Sequence, residues 1–268
     1  MIFLLHFISA LVLVAGWDIL LLAALYLLIR QQPQSMPMLE SLTRAPMLDI
    51  YLAALTWVPW VLAAIAVGWG GLFGGLVASA GVLIAWVQWH EHQHAAAAAG
   101  PGIKKVLNGI VGPAASHGAL WVTLIAYPGF WLIRLHEVCV YPLLIWLLDF
   151  PRYNAGDWVN VSRQKFTGLV GHDLIWCLYC DWMTGVYSLG AEMLRNVESF
   201  WCPIRFYDGK KCDNCKLDFP DIAGGWVAPT GTMSDVAAVV SEKYATGERT
   251  WFGHPARLTV RGKEQEKG

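Results

Sequence analysis

The chain has 268 residues, of which 56% are apolar and 15% charged, with a net charge of −1. A soluble domain carries about 25% charged residues, so this composition excludes an ordinary water-soluble fold throughout and points to a membrane protein with an appended polar part. The near-zero charge also excludes nucleic acid as a partner, because phosphate binding needs a basic face.

The first predicted element is an apolar run from Ile2 to Ile29. No Lys or Arg precedes it, it is about twice the length of a signal-peptide core, and no small-residue cleavage site follows. It reads as a retained transmembrane helix, since roughly 20 apolar residues cross the hydrocarbon core. A polar connector follows from Arg30 to Pro46. Met47–Gly68 is the second predicted span and Gly70–Trp89 the third, divided by Gly68-Trp-Gly-Gly71. After a connector over His90–Gly109, the apolar run Ile110–Phe150 is too long for one span. Tyr127-Pro-Gly129 divides it, because proline lacks an N–H and glycine tolerates unusual dihedrals. The spacing therefore predicts spans over Ile110–Ala126 and Phe130–Phe150, for about five in all, with four as the alternative. The fifteen tryptophans suit the membrane interface, where an apolar ring meets water.

Orientation follows from the basic residues of the short loops. Arg30 and Arg44 lie in the first connector, none in the second, and Lys104 and Lys105 in the third. The expected topology has the N-terminus outside, these two connectors in the cytoplasm and, with five spans, a cytoplasmic C-terminal domain. Arg152, Arg163 and Lys165 agree with it. Four spans would put that domain outside and make disulfides plausible.

Residues 151–268 hold Cys177-Leu-Tyr-Cys180, Cys202-Pro203 and Cys212-Asp-Asn-Cys215. Two C-x2-C pairs in a reducing compartment read as metal ligands, because thiolates bind zinc tetrahedrally and also hold iron–sulfur clusters. Cys212 and Cys215, after Gly209-Lys-Lys211, resemble a metal-binding knuckle. Cys177 and Cys180 fall on a predicted helix over His172–Phe200, with Trp176, Cys180, Met183, Tyr187, Leu194 and Val197 as its apolar stripe. The competing readings are buried free thiols or a disulfide domain. Cys139, within the last span, reads as packing, and His172 as an interfacial histidine with ligation as the alternative.

The second constellation is Trp89-His90-Glu91-His92-Gln93-His94. His90-Glu91-x-x-His94 matches the H-E-x-x-H pattern: two imidazoles one helical turn apart can hold zinc, and Glu91 could then act as general base. Its position at the end of a span resembles the integral-membrane zinc peptidases, a resemblance that covers five residues. It implies a third ligand, for which His117, Glu137, His172 and Glu192 are candidates. The competing readings are a solvated helix cap, favoured by the helix dipole, and a non-proteolytic metal or haem site.

Asp18, Arg134, His136 and Glu137 are polar groups inside apolar runs, which marks them as candidates for function. Arg134 could pair with Asp18 or Glu137. His117 and His136 are candidates for haem or quinone contact, against a buried ion pair or residues snorkelling to the interface. Beyond the cysteines, Gly224-Gly-Trp226 reads as a short strand, Thr232 or Ser234 as the cap of a helix through Val236–Tyr244, and Gly262–Gly268 as a frayed tail.

The expected fold is mainly α, with a polytopic membrane helical bundle over 1–150 and a small Cys-rich α+β or irregular metal-binding domain over 151–268. The expected function is redox or electron transfer through an iron–sulfur or zinc site held by four of Cys177, Cys180, Cys202, Cys212 and Cys215. Its partners would be the lipid bilayer and other membrane or redox subunits. The alternatives are a zinc peptidase using His90, Glu91 and His94, and a non-catalytic complex subunit or assembly factor with a structural zinc.

Overall fold

A computed structural model describes residues 1–30, 36–100, 102–202, 204, 227 and 230–245. These residues are mainly helical and contain no strand, only the isolated bridges Arg44–Asn160 and Ile204–Val227. The helices are α1 (Ile2–Arg30), α2 (Met36–Leu42), α3 (Met47–Leu55), α4 (Trp57–Val67), α5 (Trp69–Gln93), α6 (Ala95–Ala99), α7 (Ile103–Val111), α8 (Pro113–Leu124), α9 (Tyr127–Leu135), α10 (Tyr141–Leu148), α11 (Ala155–Trp158), α12 (Gly171–Trp201) and α13 (Met233–Ala245).

Two compact units are distinguished. One comprises Met1–Leu124 with Val159–Trp182, the other Ile125–Trp158 with Met183–Gly268. The segment 159–182 thus groups with the first 124 residues.

In the first unit, α1 runs parallel to α5. Only Ala10, Val14 and Asp18 of α1 are buried, at one-turn intervals, while Leu4, Val12, Leu13 and Leu20 expose more than half their surface. An apolar surface of that extent suits lipid and not water. The facing side of α5 is a double glycine stripe. A Cβ on Gly70 or Gly74 would strike the Phe3 or Phe7 carbonyl of α1, and one on Gly71 would strike Ala63 of α4. Small residues at this spacing let helix backbones meet closely in a membrane. Gly68 turns the chain between α4 and α5 at φ +71, a conformation open to glycine at little cost.

The single span expected over Met47–Gly68 is α3 and α4, bent by 44° at Thr56. Pro59 has no N–H for the Leu55 carbonyl, so the helical ladder breaks there. The candidate spans are compatible with the alternative of four. Among the described residues, three helices are long and apolar enough to cross a membrane, Ile2–Arg30, Trp69–Gln93 and Pro113–Leu148, or four if the bent pair counts as one. The tight turn expected at Tyr127-Pro-Gly129 does not form. Pro128 falls in the first turn of α9, where an N–H is dispensable, and Phe130 N donates to the Ala126 carbonyl.

In the second unit, α9 leads into a five-residue π turn, His136–Val140, and then into α10. Arg134 and Glu137 form a buried ion pair, one of the two pairings expected for this arginine. Nearby, Asn196 Nδ2 donates to the hydroxyls of Tyr141 (3.1 Å) and Tyr153 (2.6 Å). Helix α13 starts where expected: Thr232 N and Oγ1 donate to Asp235 Oδ2 at 2.6 and 2.7 Å, which pulls the Asp235 carboxyl below its usual range.

The helix expected over His172–Phe200 is α12, but its buried face is not the predicted stripe. Trp182, Val186, Leu189 and Met193 are buried, whereas Tyr187 and Leu194 are 63% and 60% exposed and Cys180 is exposed. The Cys-rich metal-binding domain is not seen among the described residues. Cys212, Cys215, the strand expected at Gly224-Gly-Trp226 and the tail Gly262–Gly268 lie outside them.

Candidate functional site

The polar end of α5 meets the start of α12 within the first unit. His90 and Glu91 occupy the last turn of α5, and both act as acceptors for the first N–H groups of α12. Gly171 N donates to His90 Nδ1 and His172 N to Glu91 Oε1, each at 3.1 Å. The first four N–H groups of a helix lack partners within it, and their partial positive charge favours a carboxylate. The backbone bends sharply to reach these acceptors. Gly171 has φ +50, and a Cβ there would run into the Glu91 side chain.

The exchange is reciprocal. Asp173, three residues into α12, accepts from Ile103 N at 2.7 Å and Lys104 N at 3.1 Å, and so caps α7. Two helix N-termini are thus capped by side chains distant in sequence. Further along, Asp181 holds the 159–165 turn, accepting from Ser162 N at 2.9 Å, Arg163 N at 3.1 Å and Arg163 Nε at 2.9 Å. Asp49 Oδ1 accepts from Trp182 Nε1 at 3.0 Å.

Four histidines gather around these caps. The His90 and His94 rings stack at 4.3 Å, and His117 meets His172 edge-on at 5.6 Å. His172 is engaged at both ring nitrogens: Nε2 accepts from Trp176 Nε1 at 3.1 Å, and Nδ1 faces Asp173 Oδ1 at 3.4 Å. Burial, aided by Lys104 and His117, holds the His172 imidazole below its ordinary value, with Asp173 opposing. Beside it lies a cavity of about 180 Å³ lined by Glu91, Gly102, Lys104, Asn108, His172 and Asp173. Asn108 Oδ1 is buried there with no hydrogen-bond partner among the described residues.

The expected metal ligands are only partly brought together. His90, Glu91 and His94 share the end of α5 as the pattern predicts, with His117 and His172 of the candidate third ligands in the same unit. Among the described residues, however, no group of three His, Cys, Asp or Glu is arranged to hold a metal ion. His90 Nδ1 and the Glu91 carboxylate already serve as caps. Glu192, in the second unit, accepts from the Tyr153 hydroxyl at 3.4 Å. His136, the other candidate for haem or quinone contact, opens the π turn, and its Nε2 is buried without a partner among the described residues.

Cys177 and Cys180 are free thiols near the start of α12, and Cys202 is a free thiol just past its end, where its N–H donates to the Glu198 carbonyl. Cys177 is partly buried and Cys180 exposed. Burial pushes the Cys177 thiol up, with Cys180, Asp173 and Asp181 adding to the shift and Arg163 opposing it.

Sequence reasoning missed the cap exchange and the glycine stripe. The stripe had a signal, glycine pairs one turn apart at Gly70-Gly71 and Gly74-Gly75. The caps had none, because each acceptor is about 70 to 80 positions from its donor. Comparison with family models, curated proteins and solved structures finds none that matches the chain.

Proposed function

We propose that this is an integral membrane protein with a thiolate metal centre for electron transfer on the cytoplasmic side of its helices. The observation that carries the reading is how the segment 159–182, which bears Cys177 and Cys180, is fastened. Val161 N donates to the Thr43 carbonyl and Ala45 N to the Val159 carbonyl, at the connector that holds Arg44. Asp173 caps the helix that starts at Ile103, at the connector that holds Lys104 and Lys105. Because α1 and α5 run parallel, these two basic connectors share one membrane side, and an excess of Lys and Arg marks the cytoplasmic one. A reducing compartment favours thiolate ligands over disulfides.

Cys177 and Cys180, three residues apart on a helix and so neighbours on its surface, would supply two of the ligands. Cys212 and Cys215 would complete a four-thiolate set, with Cys202 as the alternative ligand. Bound iron–sulfur would supply one-electron chemistry, and a partner redox subunit, quinone or haem would exchange those electrons. The residues of the chain would set the potential through burial and hydrogen bonds to sulfur. A structural zinc in the same thiolates, in a non-catalytic complex subunit, is the second reading. The peptidase reading has less support, because the caps occupy the Glu91 carboxylate and His90 Nδ1.

Anaerobic purification in mild detergent tests the proposal through metal content and visible absorption. Iron with sulfide and a colour bleached by Cys212→Ser is the expected result. Zinc without colour favours the structural reading, and a metal-free protein contradicts both.

A further inference from the structure

Asp18 is 2% exposed near the middle of α1, the most apolar of the three candidate spans among the described residues. Its neighbours are arranged as a line of donors. Trp60 Nε1 donates to Ser79 Oγ at 2.9 Å, and Ser79 Oγ donates to Asp18 Oδ2 at 2.7 Å. Gly75, against the Trp60 ring and Val14, leaves room for the indole to reach this position. The other carboxyl oxygen, Oδ1, is buried and has no hydrogen-bond partner among the described residues.

No cation meets this group among the described residues. Helix α4 has no ionisable side chain, and α5 has none before His90. Helix α3 brings Tyr51, whose hydroxyl donates to the Leu21 carbonyl, and Asp49, which accepts from Trp182 Nε1. On α1 itself the other ionisable side chains are Tyr26, two turns away, and His6 and Arg30, each about three turns away. A carboxylate with one hydrogen bond and no counter-charge is costly in hydrocarbon, and a neutral acid much less so. The donor line also assigns the two oxygens. Oδ2 already accepts, so the open Oδ1 is where a proton belongs.

We propose that Asp18, Ser79 and Trp60 form an intramembrane proton-binding site, with the proton carried on Asp18 Oδ1 and the carboxyl oriented by the Ser79 hydroxyl. This rests on the reading that α1 and α5 cross a membrane and is independent of the cysteines. Proton uptake and release at such a group would change the charge inside the bundle.

Infrared spectra of the full-length protein in lipid vesicles at neutral pH test this. The neutral acid gives a carbonyl-stretch band distinct from the carboxylate bands. That band is expected in the wild type, lost in Asp18→Asn and shifted in Ser79→Ala, where the bond to Oδ2 is gone. If Asp18→Asn fails to insert, the Ser79→Ala shift decides alone. Absence of the band, or a band that neither substitution alters, overturns the proposal. A band removed by sodium but not by equal potassium also overturns it, in favour of a metal-cation site. Release of the protein from membranes by alkaline carbonate would instead refute the membrane reading, whatever the spectrum.

Discussion

Helix α5 is held at its two ends by opposite means. Its first turns meet α1 through Gly70 and Gly74, with backbone against backbone. Its last turn meets α12 through His90 and Glu91, with side chains answering backbone N–H groups. The difference follows the solvent. Water does not compete within hydrocarbon, yet polar side chains are costly there, so close packing carries the seam. At the membrane edge, charged caps are affordable and give direction, so they fix where the segment 159–182 docks.

Substitutions should separate the two regimes. The largest effect is expected at the glycine seam. Gly74→Leu would push into the Phe7 carbonyl and should destabilise the α1–α5 pair by about 3 kcal/mol, as overpacking does. Gly81, with nothing within 4 Å of a Cβ, is the control: Gly81→Ala should stabilise by about 0.5–1 kcal/mol. Unfolding in mixed micelles measures both, and equal responses would remove the seam from the account.

The caps should respond less. Glu91→Ala removes the acceptor for His172 N and should cost about 1–2 kcal/mol. Limited proteolysis between residues 159 and 171 should then become faster, while the α1–α5 pair unfolds as before. An unchanged cleavage rate would mean that the cap does not hold the segment.

A smaller effect separates the two ends by pH. Burial holds the folded His172 imidazole below the ordinary histidine value of about 6.5. The unfolded chain therefore binds a proton first as pH falls, and docking of 159–182 should be fully stable above about pH 6.5 and weaken below it. His172→Gln should flatten that dependence, as read by the same proteolysis, whereas the glycine seam should not respond over this range. The smallest effect concerns the thiols. With its thiol pushed up by burial, Cys177 should react with maleimide more slowly at neutral pH than exposed Cys180, and bound metal should protect both.

Much of the helical architecture was legible in the sequence because long apolar runs have one stable answer in lipid. Ile2–Ile29 and Gly70–Trp89 appear as α1 and α5 within a few residues. What misled was local chemistry read without its partners. Tyr127-Pro-Gly129 looked like a turn, yet proline in a first helical turn leaves the chain running on. The apolar stripe on α12 does not mark its buried face, since Tyr187 and Leu194 are exposed and hydrophobic periodicity does not say what covers a face. His90-Glu91-x-x-His94 matched a catalytic pattern by residue type, while the structure uses two of its members as caps for a helix 80 positions on. Asp18 and the Arg134–Glu137 pair were recognisable as exceptional from composition alone, since charge inside an apolar run always needs an explanation.

The cytoplasmic thiolate centre depends on which side of the membrane holds the segment 159–182. A variant with Cys180 as its only cysteine, treated with a membrane-impermeant maleimide in intact cells and again after permeabilisation, tests this directly. Labelling only after permeabilisation is predicted, because the segment is fastened to both basic connectors. Full labelling in intact cells would place it outside and contradict the cytoplasmic thiolate centre.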